Sequence, residues 1–299
     1  MHYEKNYKNL ISQQKYNVKD IQERSLCMYL YFHEFCDKHG LLHYFCGGCC
    51  IGAIRHKGFI PWDDDIDVFM PRSDYERLKN LWKIHANNTK YPIMFPNEHT
   101  INHNLFITIA DSETTYIRPY QKDLDVPHGL VLDIFPLDGY PSSKLARYFQ
   151  VMWALVYSLF CAQLVPEKHG RIVKLTSNIL LNTLRSKNIR YKIWKFAEKQ
   201  MNKYDFWKSE YVTELCAGPH YMMKKYPQAA FTKAILREFE GHMLPIPCGF
   251  DDYLSVAFGD YMKLPPKDKQ IAHHDALFVD LKRSYKDYRG KYYCVESEN

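Results

Sequence analysis

Apolar residues recur at helical spacing from Val18 to His39, with Ile21, Leu26, Tyr29, Leu30, Phe32 and Phe35 on one side and Gly40 as a stop. The pattern then shortens. Leu41–Cys46 is an apolar and aromatic run that reads as a strand, Gly47-Gly48 as a turn, and Cys49–His56 as a short helix of small and aliphatic residues. Gly58 and Pro61 interrupt the chain and Ile66–Met70 reads as a second strand. Ser73-Asp74-Tyr75-Glu76 has the form of a capping box opening a helix that carries Leu78, Leu81 and Trp82. Further short strands are expected at Tyr91–Phe95, Leu105–Ala110 and Leu130–Phe135, the last stopped by Pro136. From about Ser142 the periodicity is helical through His169, and again over Ile172–Leu184 and Tyr191–Tyr204. This shift predicts a boundary near Tyr140, with a helical arm over 1–40, a sheet-containing core over 41–140 and a mainly helical region over 141–299. The expected class is α+β: a small mixed sheet with flanking helices, plus a helical C-terminal region. No internal repeat is present.

Composition narrows the classes. With 46% hydrophobic and 25% charged residues, and only 13 Gly and 15 Pro in 299 residues, disordered and collagen-like chains are excluded. Forty basic side chains against 34 acidic ones leave a net charge of +6, which suits a phosphate-bearing partner. That charge is spread out, without a basic aromatic stripe, so no nucleic-acid partner is expected. Nine Cys and an opening stretch without an apolar signal core point to a reducing compartment, and the expected location is the cytoplasm. Phe149–Val165 is the most apolar segment, but at 17 residues with Gln150, Ser158 and Gln163 it is short and polar for a membrane span. It reads as a buried helix. The alternative is an interfacial helix giving peripheral contact with the inner face of the cell membrane, because Lys168, His169, Arg171 and Lys174 follow it.

The chemistry concentrates between Gly47 and Arg72, in GGCCIGAIRHKGFIPWDDDIDVFMPR. Asp65-Ile66-Asp67-Val68 alternates acid and aliphatic, so on a strand both carboxylates share one face while the aliphatic side chains enter the core. Clustered acids repel unless solvated or neutralised, and an oxygen-only set of this kind suits Mg²⁺, with Mn²⁺ as the alternative. A solvated acidic turn or a calcium loop is the bland reading. Asp133, flanked by Leu132 and Ile134, can add a third carboxylate from a neighbouring strand, as two-metal phosphoryl transfer requires. Gly47-Gly48 at a helix start offers backbone amides to a phosphate, and Arg55 a bidentate contact to it. Asp63 and Asp64 would tune the field or contact a cation rather than ligate metal. Trp62 is expected to pack, although a ring beside acids could hold a quaternary ammonium. Cys46 and Cys49 match a CxxC, but no second pair with zinc-finger spacing exists.

Taken together these motifs resemble the LicD family, whose members carry a glycine pair, a GxxR run and an IPWDDDID segment in this order. The likeness continues through Met70-Pro71-Arg72 and Asp74-Tyr75, then Leu132-Asp133-Ile134-Phe135-Pro136-Leu137-Asp138. Near the C-terminus it covers Gly259-Asp260-Tyr261-Met262-Lys263-Leu264-Pro265-Pro266 and His273-His274. The resemblance implies a polymerase-β-like nucleotidyltransferase core and transfer of a substituted phosphate, such as phosphocholine, from a CDP-activated alcohol to a hydroxyl of a cell-surface glycan or glycolipid, releasing CMP. It puts Asp65, Asp67 and Asp133 on metal and catalytic positions and Gly47, Gly48 and Arg55 on the donor-phosphate side. Asp138 is a reserve ligand; Cys49, Trp62, Asp64, Arg72, His273 and His274 are further candidates for substrate contact. Departures from the family pattern are Cys49 and Cys50, where a hydroxyl residue and Leu are more common, Phe258 in place of Tyr, and Gln270 in place of Arg. Two other readings stand beside this one: a DxD glycosyltransferase using a nucleotide-sugar, and a non-catalytic LicD-like binding protein.

Overall fold

The computed structural model describes residues 17–165, 171–271 and 276–295, with backbone alone at 171–173. Helix α1 (Val18–His39) starts at Asn17, whose side chain accepts the Lys19 amide, and stops at Gly40 in the left-handed region, where φ is 60°. Its inward face buries Met28, Tyr29, Phe32 and Phe35 in the main core. Strand β1 (Tyr44–Phe45) pairs antiparallel with β2 (Asp67–Pro71), and helix α2 (Gly47–Arg55) lies between them in sequence. Helix α3 (Arg72–His85) follows directly. It begins at Arg72, ahead of the predicted capping box: Pro71 is the N-cap, and with no side-chain acceptor it makes no cap bond.

The sheet is organised by β6 (Val131–Tyr140), ten residues long. One edge of β6 pairs in parallel with β2. The other edge carries two antiparallel partners in turn, β4 (Ile107–Ala110) along its first half and β7 (Tyr211–Glu214) along its second. Short β3 (Ile93–Met94) extends from β4, and β8 (Tyr226–Pro227) from β7. The predicted stop at Pro136 therefore does not occur. Pro136 falls between Ile134, the last residue opposite β4, and Leu137, the first opposite β7, so the strand continues through it where that edge has no partner. β5 (Thr115–Ile117) pairs with β11 (Phe278–Asp280) in a separate ribbon, and β9 (Ala234–Phe239) with β10 (His242–Pro247) in another.

Beyond Tyr140 the chain is helical as expected, through α4 (Lys144–Ala162), α5 (Arg171–Thr183) and α6 (Lys187–Met201). It then departs from expectation. Strands β7 to β11 arise after residue 210, along with the four-residue α7 (Pro219–Met222) and α8 (Phe250–Phe258), and β7 and β8 complete the main sheet. The 141–299 region is thus mixed, and its strands are too short and too weakly alternating to announce themselves. Helix α4 packs on α6 through Ala154, Tyr157 and Phe160 against Trp194, Ala197 and Met201. By length and composition it is the one described helix that could cross a membrane, and only a third of its most apolar window is buried, so the expected fully buried helix is not what the structure shows. The face turned away from α6 leaves Leu145, Tyr148, Phe149 and Leu155 exposed.

The parallel β2–β6 pair is pinned at its far end. Pro71 stands opposite Leu137, and just beyond them the first residue of α3 meets the next residue of β6: Arg72 Nε and its second terminal nitrogen donate to the two Asp138 carboxylate oxygens, both at 2.7 Å. Asp138 is fully buried and Arg72 nearly so, with the guanidinium also over the Tyr75 ring. Asp138, expected as a reserve ligand, and Arg72, expected at the substrate, are instead engaged with each other inside the core. Asp138→Ala should cost about 3–5 kcal/mol by stranding the buried Arg72 charge. Urea unfolding should show that loss, and adding Arg72→Met should recover part of it; an Asp138→Ala protein as stable as the parent would refute the clamp.

Candidate active site

The acids sit on backbone that three other elements hold in place. Gln22 on α1 donates to the Ile60 and Asp63 carbonyls, at 3.2 and 2.7 Å. The Cys49 thiol on α2 donates to the Asp65 carbonyl at 3.5 Å, and the Cys46 amide to Asp67 O at 3.1 Å. Ile66 O accepts from the Asp133 amide at 3.4 Å, so the acidic loop runs straight onto β6. Strand β2 opens at Asp67, and its register places Asp67 directly opposite Asp133. Neighbouring strands lie about 4.8 Å apart, so two carboxylates emerge side by side on one face. Leu132 and Ile134 point the other way into the core, as the alternation required.

Asp65, Asp67 and Asp133 line one pocket of about 570 Å³. Asp64 joins all three in an adjoining cleft with Arg118 and Tyr116. The tightest carboxylate group is a different one: Asp63, Asp64 and Asp65 present oxygens within 4.8 Å of one another. Asp67 is the most perturbed acid. Burial raises its carboxyl well above the usual range, and the neighbouring charges of Asp65, Asp133 and Asp63 push the same way against Arg118. Asp133 Oδ1 is buried with no hydrogen-bond partner among the described residues, while its other oxygen lies 3.6 Å from Arg118. An all-oxygen donor set with one orphaned buried oxygen fits a hard divalent ion such as Mg²⁺.

Several predicted contacts fall elsewhere. Arg55 is at the opposite end of α2 from Gly47, and its guanidinium donates to Tyr261 O at 2.8 Å and to His56 Nε2 at 2.9 Å. It ties α2 to the Gly259–Pro266 segment instead of meeting a phosphate. Cys49 is buried, and burial followed by Asp63, Asp65 and Asp67 raises its thiol, so it supports the loop from inside the core. Trp62 packs against the main core. Gly47 does open onto the pocket, in a left-handed conformation with φ of 51°, but its amide donates to the Tyr253 hydroxyl at 3.0 Å. At Gly48 a Cβ would lie 1.9 Å from Asp63 Oδ2, so the close approach this glycine permits is to Asp63. His273 and His274 lie outside the described residues.

The cation the sequence reading missed is Arg118, just past β5. Its guanidinium donates to the Tyr120 hydroxyl at 3.3 Å, which donates to Asn104 Oδ1, whose amide nitrogen donates to Thr108 Oγ1 opposite Asp133. This chain of contacts encloses Asp133 from the β4 side. No local motif marks these residues. Glu214, at the end of β7 opposite Leu137, was missed too; it lines the same pocket and is 5% exposed. Burial pushes its carboxyl up to about 7, opposed by the hydroxyl of Tyr226, which donates to it.

An acid whose folded-state pKa lies above its unfolded value makes the folded state less stable as pH rises between the two values. For Glu214 that window runs from the ordinary 4.5 to about 7. The accumulated penalty is at most about 3 kcal/mol. Glu214→Gln removes the titration, so its stability relative to the parent should rise from pH 5 to pH 8 in thermal unfolding; a constant difference would show that Glu214 is not perturbed in this way.

Comparison with known proteins agrees with this architecture. Residues 40–145 match the LicD/FKTN/FKRP nucleotidyltransferase domain, a stretch that contains both acid-bearing strands. The chain is similar to the lipopolysaccharide cholinephosphotransferase LicD of Haemophilus influenzae, at 30% identity over 280 residues, covering 85% of this chain and 95% of that protein. An uncharacterized protein of Rickettsia typhi is 25% identical over 113 residues, 38% of this chain and 34% of its own. With a relative matched over nearly its whole length and the acidic strands inside the matched domain, the chain belongs to the LicD family.

Proposed function

We propose that this protein is a phosphotransferase that moves a substituted phosphate, phosphocholine or a similar alcohol phosphate, from a CDP-activated donor to a hydroxyl of a cell-surface glycan or glycolipid. The observation that carries the reading is the pairing of Asp67 with Asp133 on parallel strands, with Asp65 beside them in one pocket. The likeness to a lipopolysaccharide cholinephosphotransferase supports the choice of group and acceptor class. The nucleotidyltransferase core named for the matched domain fits a sheet of this kind with the acids at adjacent strand starts.

In this reading Asp65, Asp67 and Asp133 hold Mg²⁺, which when bound would neutralise the diphosphate and polarise the phosphorus under attack. Arg118, beside Asp133, is the cation the site itself supplies to the same negative charge. Asp67 carries a proton more readily than an ordinary carboxyl and gives it up when a cation arrives. The acceptor hydroxyl attacks the outer phosphorus and gives its proton to the Asp133 carboxylate, the bond to the CMP oxygen breaks, CMP leaves with that electron pair, and the product is a phosphodiester. Which of the two phosphorus atoms is attacked depends on how the donor lies in the pocket. A DxD glycosyltransferase would place a nucleotide-binding βαβ unit ahead of its acids, and here, among the described residues, α1, β1 and α2 alone precede them.

Asp67→Asn keeps the size of the side chain while removing one of the crowded charges. It should raise the melting temperature and lower CMP release from CDP-choline by about 10³-fold or more, the scale of losing a metal clamp. CMP release scored by mass spectrometry over CDP-choline, CDP-ethanolamine, CDP-ribitol and CDP-glycerol, with UDP-sugars as controls and with or without chelator, checks both the donor class and the metal. Undiminished transfer by Asp67→Asn, or turnover of UDP-sugars alone, would overturn the reading. The exposed face of α4, with Leu145, Tyr148, Phe149 and Leu155, is proposed to touch the membrane surface that bears a glycolipid acceptor. Co-sedimentation with anionic liposomes should fall on Phe149→Glu; absence of binding by the parent would remove the membrane contact.

A further inference from the structure

The pocket has a second end, which the acids do not explain. Along the face that carries Asp67 and Asp133, the next residues on the two strands are Phe69 and Phe135, and Glu214 follows opposite Leu137. Leu137 is four residues beyond Asp133, about 13 Å along the strand. That is a separation a diphosphate with a two-carbon alcohol arm spans. The rings form a connected wall. Phe106 lies 4.1 Å from Phe135, Phe69 5.5 Å from Tyr253, and Phe258 6.4 Å from Tyr253 and 6.3 Å from Tyr221, by ring centroids. All six line the pocket.

Glu214 is the acid that lines this end of the pocket among the described residues. Its carboxylate accepts the Tyr226 hydroxyl, and no cationic side chain forms an ion pair with it among the described residues. Lys224, near enough to influence it, instead donates to Val256 O at 2.9 Å. A quaternary ammonium has no N–H to donate and is recognised by ring faces together with a carboxylate, whereas a neutral polyol arm can donate hydrogen bonds to the carboxylate but brings no charge to offset its burial and makes no cation–π contact with the rings. Burial makes an ionised Glu214 costly unless a cation accompanies the substrate, so the site favours a donor that brings its own positive charge.

We propose that Glu214 and the surrounding wall of Phe106, Tyr221, Tyr253 and Phe258 form the subsite for a trimethylammonium head group, making this enzyme select a choline-bearing donor over uncharged alcohols. The inference rests on the phosphotransferase reading of this pocket and adds its specificity determinant. Phe258, at the end of α8, makes the exposed rim of that subsite.

Calorimetric titration of the Mg²⁺-supplemented protein with CMP, CDP-choline and CDP-glycerol separates the parts. The parent should bind CDP-choline more tightly than CDP-glycerol. Glu214→Gln, which keeps the shape and an acceptor for Tyr226, should weaken CDP-choline tenfold or more while changing CDP-glycerol and CMP by less than twofold. Phe258→Leu at the rim should act in the same direction without disturbing the buried carboxyl. Equal losses for CMP and both donors would put the nucleobase against these rings and overturn the subsite, as would no loss in either variant. If the parent binds none of the three, the phosphotransferase reading itself fails; if it binds them all and the variants do not discriminate, only the subsite does.

Discussion

Two carboxylates side by side on parallel strands are the constraint around which this molecule is arranged. Like charges at strand spacing repel strongly where water is thin, and the chain cannot relieve the strain by letting the loop swing out. Gln22, the Cys49 thiol and the β6 amide ladder fasten the loop carbonyls from three directions. The charge must therefore be met inside the pocket, by Arg118, by a proton on Asp67, or by a bound cation with its substrate. Crowded carboxylates of this kind make the fold less stable than neutral side chains in the same places would.

The motif around these acids divides its labour in a way that linear order conceals. Arg72 and Asp138 lie in the same signature segments as Asp67 and Asp133, but they close on each other in the core and lock the strand ends. Asp74 accepts the Leu42 amide and pairs with Arg77, tying α3 to the approach of β1. Arg55 anchors the Gly259–Pro266 segment. These polar residues are scaffold, and their satisfied geometry is what holds the reactive acids still. The pocket and its adjoining cleft are then lined by residues remote in sequence: Arg118 and Tyr120 on one side, Glu214, Tyr221, Tyr253 and Phe258 on the other.

The wall of the pocket also explains why the C-terminal half is needed. Strand β7 continues the edge of β6 that β4 leaves free, and this alone carries Glu214 to the face where Asp133 and Phe135 emerge. Helix α8 then sends the Tyr253 hydroxyl to the Gly47 amide, closing the start of α2 against the pocket. Helical patterning after Tyr140 was legible through α6, but the strands beyond it bury their residues too unevenly for a period of two to show.

Local spacing was enough to determine that acid and aliphatic residues would alternate at Asp67-Val68 and Asp133-Ile134, because a strand sends successive side chains to opposite faces whatever its partners are. It also determined α1 and its glycine stop, since each depends on neighbours a few residues away; the expected Gly47-Gly48 turn is instead the first part of α2. Only the tertiary structure decided that Asp67 would face Asp133, that Arg118 would be the cation beside them, and that Asp138 would spend its charge on Arg72. Those pairings join residues 66 or 15 positions apart through strand register and loop closure, and no short-range periodicity encodes which of several equally charged side chains will meet.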